Sequence, residues 1–303
     1  MLRYKADWRS LAYMAVTTAL LVFQWEMGSI NPFIYAFSLF MAVAVAVMAH
    51  NHNHLPMWKS KVMNGITDYW LTIFYGFPAF GWIPTHNMNH HSLNNREGDY
   101  TITYRYSEKN NLFTLMSYPS ISSYFQQKAI RDYLGYLKRT SKGKYLHAVL
   151  QYAVLILFIA VALFIDWKKA LYFIVIPQQF ALFSILVFNY VQHVHAEEES
   201  AYNHSRNFVG PMLNTLLFNN GFHTIHHERA GIHWSQTPEH HAKIEHLIDP
   251  SLKEPSFWGY IFRVYFFGAV SPRFRTDSMR LARMQQQQQT KPAHESAEAE
   301  MVS

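Results

Sequence analysis

Leu146 to Ile165 is an almost uninterrupted run of 20 apolar residues. A helix of about 20 residues is about 30 Å long, which matches the hydrocarbon core of a bilayer. A chain with such a run must either bury it in a large protein core or give it to lipid. Three further apolar stretches, at about 9–25, 33–49 and 170–191, argue for lipid. The first is slightly short for a span, but no small-residue cleavage site follows it. Glu26 to Pro32 leads straight into more apolar sequence, so a cleaved signal is the weaker reading. Gly28, Asn31 and Pro32 suit a tight turn between the first two stretches, and Asp166 to Lys169 between the last two. Pro177-Gln178-Gln179 interrupts the fourth stretch, where polar groups are expected to bond a neighbouring helix. The expected fold class is an all-α integral membrane protein with four transmembrane helices in two hairpins.

Orientation follows from charge. With the N-terminus in the cytoplasm, both short connections lie outside, and 50–145 and everything after 191 lie inside. The inside segments then hold nearly all the lysines and arginines, Lys168 and Lys169 excepted. The net charge of +6 forms no dense basic tract, which favours an anionic membrane surface over nucleic acid as partner. The parts outside the spans are substantial. Ile66 to Trp82 is apolar but interrupted by Gly76, Pro78 and Gly81, and is expected to form a short re-entrant or interfacial helix pair. Segments 111–116 and 123–139 read as amphipathic helices lying on the membrane or capping a site, and Phe257 to Val270 as an aromatic stretch that dips into the interface. Glu197-Glu198-Glu199 reads as a solvated turn. Residues 1–275 are expected to form one domain, and 276–303, with the glutamine run 285–289, a disordered polar tail.

Histidine is the second constraint. The chain has 18 histidines and no cysteine, which excludes disulfides, thiolate zinc sites, Cys-ligated iron–sulfur clusters and cysteine nucleophiles. The histidines gather where the apolar stretches end. His50 and His54 are one helical turn apart. His52 lies about 200° round a helix from His50 and points elsewhere, yet remains a possible ligand. His86 and His90 are again one turn apart, with His91 beside them. His193 and His195 fall on different faces, which predicts one ligand, His193 in preference to His195. His223, His226 and His227, at i, i+3 and i+4, share a helix face. Neutral imidazole is a common ligand of iron, zinc and copper. Asp99, close behind the second cluster, could orient an imidazole. His233, His240, His241 and His246 read as surface or supporting residues, His233 the best of them. With four spans every cluster falls on the cytoplasmic side, whereas three spans would put the third cluster opposite the first two.

The order HxxxH (His50, His54), HxxxHH (His86, His90, His91), Gln192-His193 and HxxHH (His223, His226, His227) resembles the membrane fatty-acid desaturase and hydroxylase superfamily, over roughly residues 30–235. The resemblance implies a cytosolic helical cap holding a His-rich diiron site. The ligand candidates it carries over are His50, His54, His86, His90, His91, His193, His223, His226 and His227. Asn219 falls where family members place an asparagine that can hold a metal-bound water. The cofactors implied are two non-haem irons with O2 as co-substrate. The substrate implied is a fatty acyl chain, as free acid or linked to lipid, CoA or carrier protein. The first box departs from the family in having no acidic residue between its histidines. No His-Pro-Gly-Gly of a cytochrome b5 domain occurs, so electrons are expected from a separate donor such as ferredoxin or cytochrome b5. The expected location is the inner membrane of a bacterium, multi-pass, with both termini cytoplasmic.

The chemistry asks for such a centre. Breaking an unactivated C–H bond needs oxidising power that acid–base side chains lack, so the cofactor carries that step and the protein places the carbon. The same ligands serve removal of two hydrogens, hydroxylation, or oxidative decarboxylation of a free fatty acid to a terminal alkene. Desaturation ranks first as the commonest outcome for this arrangement, and alkene formation second, because some small cytochrome-free members do it. A metal transporter or a metal-binding membrane protein without turnover is the reading from another class. Transport ligands are expected near the bilayer midplane, whereas these histidines sit at helix ends.

Overall fold

The computed structural model describes residues 1–289, and 290–303 lie outside the described residues. Helix α1 (Trp8–Met27) stops where Gly28 takes a left-handed φ of 65°, a conformation that costs glycine little. Asn31 then caps α2 (Pro32–His54), its side chain accepting from the Phe33 and Ile34 amides at 3.0 and 3.3 Å. Proline in the first turn suits the start of a helix because its missing N–H would be unpaired there anyway. The two helices form the expected hairpin, with Gln24 Nε2 donating to Ser38 Oγ across it at 2.7 Å.

The second hairpin turns at Asp166. Helix α6 (Lys142–Ala170) is broken there by one non-helical residue, Asp166 itself, at φ −156° and ψ 100°. Its carboxylate accepts from the Lys168 and Lys169 amides at 3.0 and 3.1 Å, so it breaks one arm and caps the next. A π-helical turn, Leu171–Val175, leads into α7 (Ile176–His193). Lys169 Nζ sits 5.8 Å from the Trp25 ring, and the Tyr35 hydroxyl donates to the Tyr172 carbonyl. The two turns therefore lie together at one end of the molecule. Gln178 donates to the Ile73 carbonyl of a neighbouring helix at 2.7 Å, as expected of a polar group at that depth.

Among the described residues two helical stretches are long and apolar enough to cross a membrane, 32–54 and 142–193. The second is 52 residues long and holds both arms of the Asp166 hairpin. Helix α1 is 20 residues but interleaves Ser10, Thr17, Thr18 and Gln24 with its apolar positions. Helix α2 is the axis of the core. Every residue from Met41 to Ala49 is buried, against α1, α3 (Lys61–Tyr75) and α7. A helix that is apolar all round has to be surrounded. The small residues Ala42, Ala44, Ala46 and Ala49 let its neighbours approach closely.

The remaining chain gathers at the histidine end. After Gly76 ends α3, a 3-10 turn (Ala79–Gly81) leads to a π-helical segment (Ile83–His90) and the short α4 (His91–Leu93). The two amphipathic segments expected at 111–116 and 123–139 are one helix, α5 (Leu112–Thr140), opened by an Asn111/Thr114 capping box and carrying Pro119 inside. Strand β1 (Asn207–Phe208) pairs in parallel with β2 (Lys253–Glu254), holding α8 (Pro211–Leu216), α9 (His223–Glu228), α10 (Thr237–Ile244) and α11 (Phe257–Ile261) around them. The N-terminal segment comes here too. Lys59 donates to the Met1 carbonyl, and His233 Nε2 lies 3.1 Å from Asp7 Oδ2.

The tail expected to be disordered from 276 is helical over 279–289. Arg283 donates to Glu197 and Glu198 at 2.6 and 2.7 Å, and Arg280 pairs with Glu108. Glu198 is consequently buried, where its sequence suggested a solvated turn. The glutamates find partners about 85 residues away, which local composition does not reveal.

Candidate metal centre

The nine histidines of the four motifs converge into two groups. His50, His54, His86, His91 and His226 form one, and His90, His193, His223 and His227 the other, with ring nitrogens in each group within 4.8 Å of one another. In the first group the Nε2 atoms of His50, His86, His91 and His226 close a ring with sides of 2.9, 3.1, 3.0 and 3.0 Å. His54 packs its ring 4.6–5.1 Å from the other four. In the second group the Nε2 atoms run His90–His193–His223–His227 with spacings of 3.1, 2.9 and 3.2 Å.

The grouping departs from the sequence pairing, and the backbone explains why. On an α-helix His86 and His90 would sit together. Here Ile83–His90 is π-helical, and the His91 amide donates to the His86 carbonyl, five residues back. That step brings His91 rather than His90 beside His86 and sends His90 to the other group. Likewise His226 and His227, adjacent in sequence on α9, serve different groups.

The donor set fits metal ions. His90 Nδ1 donates to Asp99 Oδ2 at 2.7 Å, and His193 Nδ1 donates to the His204 carbonyl at 3.1 Å. Both rings therefore carry their proton on Nδ1 and turn an Nε2 lone pair inward, where the two lone pairs face each other at 3.1 Å. Lone pairs at that distance repel unless a cation lies between them. Two nitrogens at right angles about one metal, each about 2.1 Å from it, lie about 3.0 Å apart, which is the spacing found. Burial and then the neighbouring imidazoles push His86, His223, His226 and His227 well below the ordinary histidine range, and burial with His90 takes His91 down to about 2. Neutral rings are what a metal needs.

Asp99 is fully buried and takes four hydrogen bonds, from His90, the Asn95 amide, and the Thr101 amide and hydroxyl, at 2.7–2.8 Å. Burial alone would raise its pKa. His90 and the Thr101 donors outweigh that and hold it below the usual carboxylate range. Asn219 has a left-handed φ of 59°, donates through its amide nitrogen to the Trp234 carbonyl at 3.0 Å, and lines a small cavity with His50, His54 and His226.

The two further histidines that spacing left possible stay outside both groups. His52 accepts from the Met57 amide at 3.2 Å and faces Asp68 at 3.5 Å. His195 contacts the Glu108 carbonyl and the Thr276 hydroxyl at 2.7 and 2.8 Å and ties the C-terminal segment down. His233 braces the N-terminus, stacked on Tyr4 at 4.2 Å.

Sequence reading missed three supports. Buried Arg206 donates to the Val191 and Val194 carbonyls at 2.8 and 3.0 Å, answering the C-terminal carbonyls of α7 beside His193. His204 is buried with its ring 5.4 Å from His227; its Nε2 lies 3.6 Å from Glu228 Oε1, and neither ring nitrogen has a hydrogen-bond partner among the described residues. Asn214 clamps the approach to α9, accepting from the Gly221 amide at 3.0 Å and donating to the Phe208 carbonyl at 2.8 Å. A buried arginine and a lone asparagine leave no periodic signal. His204 could have been flagged by histidine count alone.

Gly221 sits so close to β1 that a Cβ there would lie 2.1 Å from the Phe208 carbonyl oxygen and 2.7 Å from Asn214 Oδ1. Neither is a flexible chain end. Gly221→Ala is expected to cost about 3 kcal/mol or more through this overpacking. Thermal unfolding and metal analysis should show stability and metal content falling together. A variant with wild-type melting would mean the backbone relaxes freely.

A mostly helical chain gathers nine imidazoles into two largely buried groups, each of which could hold a metal ion. The chain belongs to the fatty acid desaturase family, whose model matches residues 10–271. Membership makes it an oxidoreductase and implies a fatty acyl substrate and an electron donor. No curated protein and no solved structure matches it.

Proposed function

We propose that this protein uses O2 to oxidise a fatty acyl chain at two irons, one in each histidine group, with desaturation as the reaction. One observation carries the reading. A narrow cavity of about 110 Å³ touches both groups, through His50, His86 and His223, with an apolar side that includes Tyr75, Trp82, Ile185 and Phe188 and a polar side that includes Gln126, Asn189 and Gln192. An apolar chain laid there meets both groups at once.

Two irons bound by these imidazoles would supply the O2 activation that C–H cleavage demands. The chain's own residues do the rest. Five imidazoles hold the first site and four the second. Asp99 keeps the His90 proton on Nδ1, so that Nε2 stays a ligand. The small cavity beside Asn219, about 30 Å³, has room for a water next to His50 and His226, which supports the water-holding role for its amide. Tyr75, Trp82, Ile185, Leu186 and Phe188 give the cavity an apolar side, while Ser123 and Gln127, both exposed, mark where it opens at the surface.

The same reading makes residues 1–275 one domain with four spans: α1, α2 and the two arms that meet at Asp166. It is supported by the two turns lying at one end and the N-terminal segment, residues 279–289 and all nine histidines at the other. Under it the histidine end is cytoplasmic, the membrane is a bacterial inner membrane, and the electron donor is a separate ferredoxin or cytochrome b5. The deciding experiment incubates membranes with a fatty acid and a reductant, then analyses both lipid and headspace gas. An unsaturated acyl product with substrate-dependent O2 uptake is expected. A volatile 1-alkene one carbon shorter would replace desaturation by oxidative decarboxylation, and a hydroxylated chain would replace it by hydroxylation.

A further inference from the structure

The histidine-lined cavity opens at the surface past Ser123 and Gln127 and is closed on another side by α7. Leu182, Ile185 and Asn189, spaced three to four residues apart, line it from one face of that helix. The neighbouring face, through Phe180, Phe183 and Val187, lines a second cleft of about 750 Å³ bounded by α2, α8 and α11. This cleft is almost wholly apolar and reaches the outside past the exposed side chains of Phe180, Met212 and Trp258. In a chain with membrane-crossing helices such an opening faces lipid. Phe188 lines both spaces. It is buried, and its ring stacks on Phe257 of α11 at 4.4 Å, which in turn meets Phe208 of β1 edge-on at 5.2 Å.

The sizes of the two spaces give that partition a consequence. One water-sized group needs about 10–15 Å³ of such volume, so the histidine-lined cavity, at about 110 Å³, takes roughly seven to eleven chain atoms. A longer chain has more carbons than the cavity can hold. The larger apolar space that could receive the excess lies behind one side chain, and it opens toward lipid, which matches a hydrocarbon tail and no polar ligand.

We propose that Phe188, backed by Phe257, is the partition that sets the longest acyl chain this protein accepts, the methyl end of longer chains passing into the α2–α7–α8–α11 cleft only when that ring is removed or displaced. The proposal rests on the acyl-oxidising reading above. Its test is competition among saturated fatty acids of graded length, using the full chain in membranes with a reductant and measuring oxidised products of each length, whatever their type. Phe188→Ala should raise the product ratio of long to medium chains by about tenfold or more, the discrimination that a few methylenes carry in an apolar site, with iron content unchanged. Phe257→Ala should move the ratio the same way by less, because it removes only the backing. An unchanged ratio in Phe188→Ala with iron retained overturns the partition. Should that variant fail to fold, Phe188→Leu is read by the same two criteria. A wild-type protein that oxidises no acyl chain at all overturns the functional reading itself, and is told apart because no variant is needed to see it.

Discussion

On the proposed two-iron reading, His226→Ala is expected to abolish turnover and lower iron from about two per chain toward one, because it removes a corner of the closed Nε2 ring. His226 Nε2 stands 3.0 Å from both His50 and His91 Nε2, and α9 offers that group no other imidazole. The neighbouring variant His227→Ala should also lower iron, but from the other site, since its Nε2 lies 3.2 Å from His223. The double variant should therefore lose iron additively, toward none, as independent sites do. Metal analysis of the three purified variants with O2 uptake checks this. Normal activity and iron in His226→Ala would count decisively against the metal assignment. Losses that coincide in the two single variants and do not deepen in the double one would mean a single shared site.

Asp99→Asn should cost about 10–100-fold in metal retention or activity, the usual effect of removing the partner that orients a ligating histidine. The carboxylate accepts all four of its hydrogen bonds. An amide can accept on its oxygen only, so its NH2 must face donors. Either His90 loses its acceptor and its tautomer is no longer held, or the Asn95–Thr101 turn loses its anchor. Iron release against a chelator, compared in wild type and Asp99→Asn, separates this from a general loss of fold. The variant should lose iron faster at a melting temperature close to wild type. Equal release rates would remove Asp99 from the site.

Much of the fold is legible locally. Gly28, Asn31 and Pro32 carry turn and capping chemistry in a few residues, and Asp166 does the same for the second hairpin. The run at 146–165 needs no partner to be read as a long apolar helix. Segments whose outcome depends on distant partners were less legible. The polar stretch at 279–289 is a helix because Arg280 and Arg283 meet glutamates at 108, 197 and 198. The interrupted stretch 111–139 is one helix because α6 and α7 support it past Pro119.

The site divides in the same way. Histidine spacing at the ends of apolar helices, with the family resemblance, pointed to the nine imidazoles that the fold brings together and to Asp99 beside them, because residue type and helix-end position are properties of short segments. Which imidazole joins which group is not such a property. It depends on a π-helical step at 83–90 that replaces a four-residue repeat with a five-residue one, and on α9 lying between the two groups so that His226 and His227 part. The sequence by itself determined a helical, histidine-rich redox chain of the desaturase family. Only the tertiary structure decided the five-and-four division of the imidazoles, the braces at Arg206 and Asn214, and the ring of Phe188 between the histidine-lined cavity and the apolar cleft. Each of these arises where side chains from separate helices meet, and no periodicity along one helix records such a meeting.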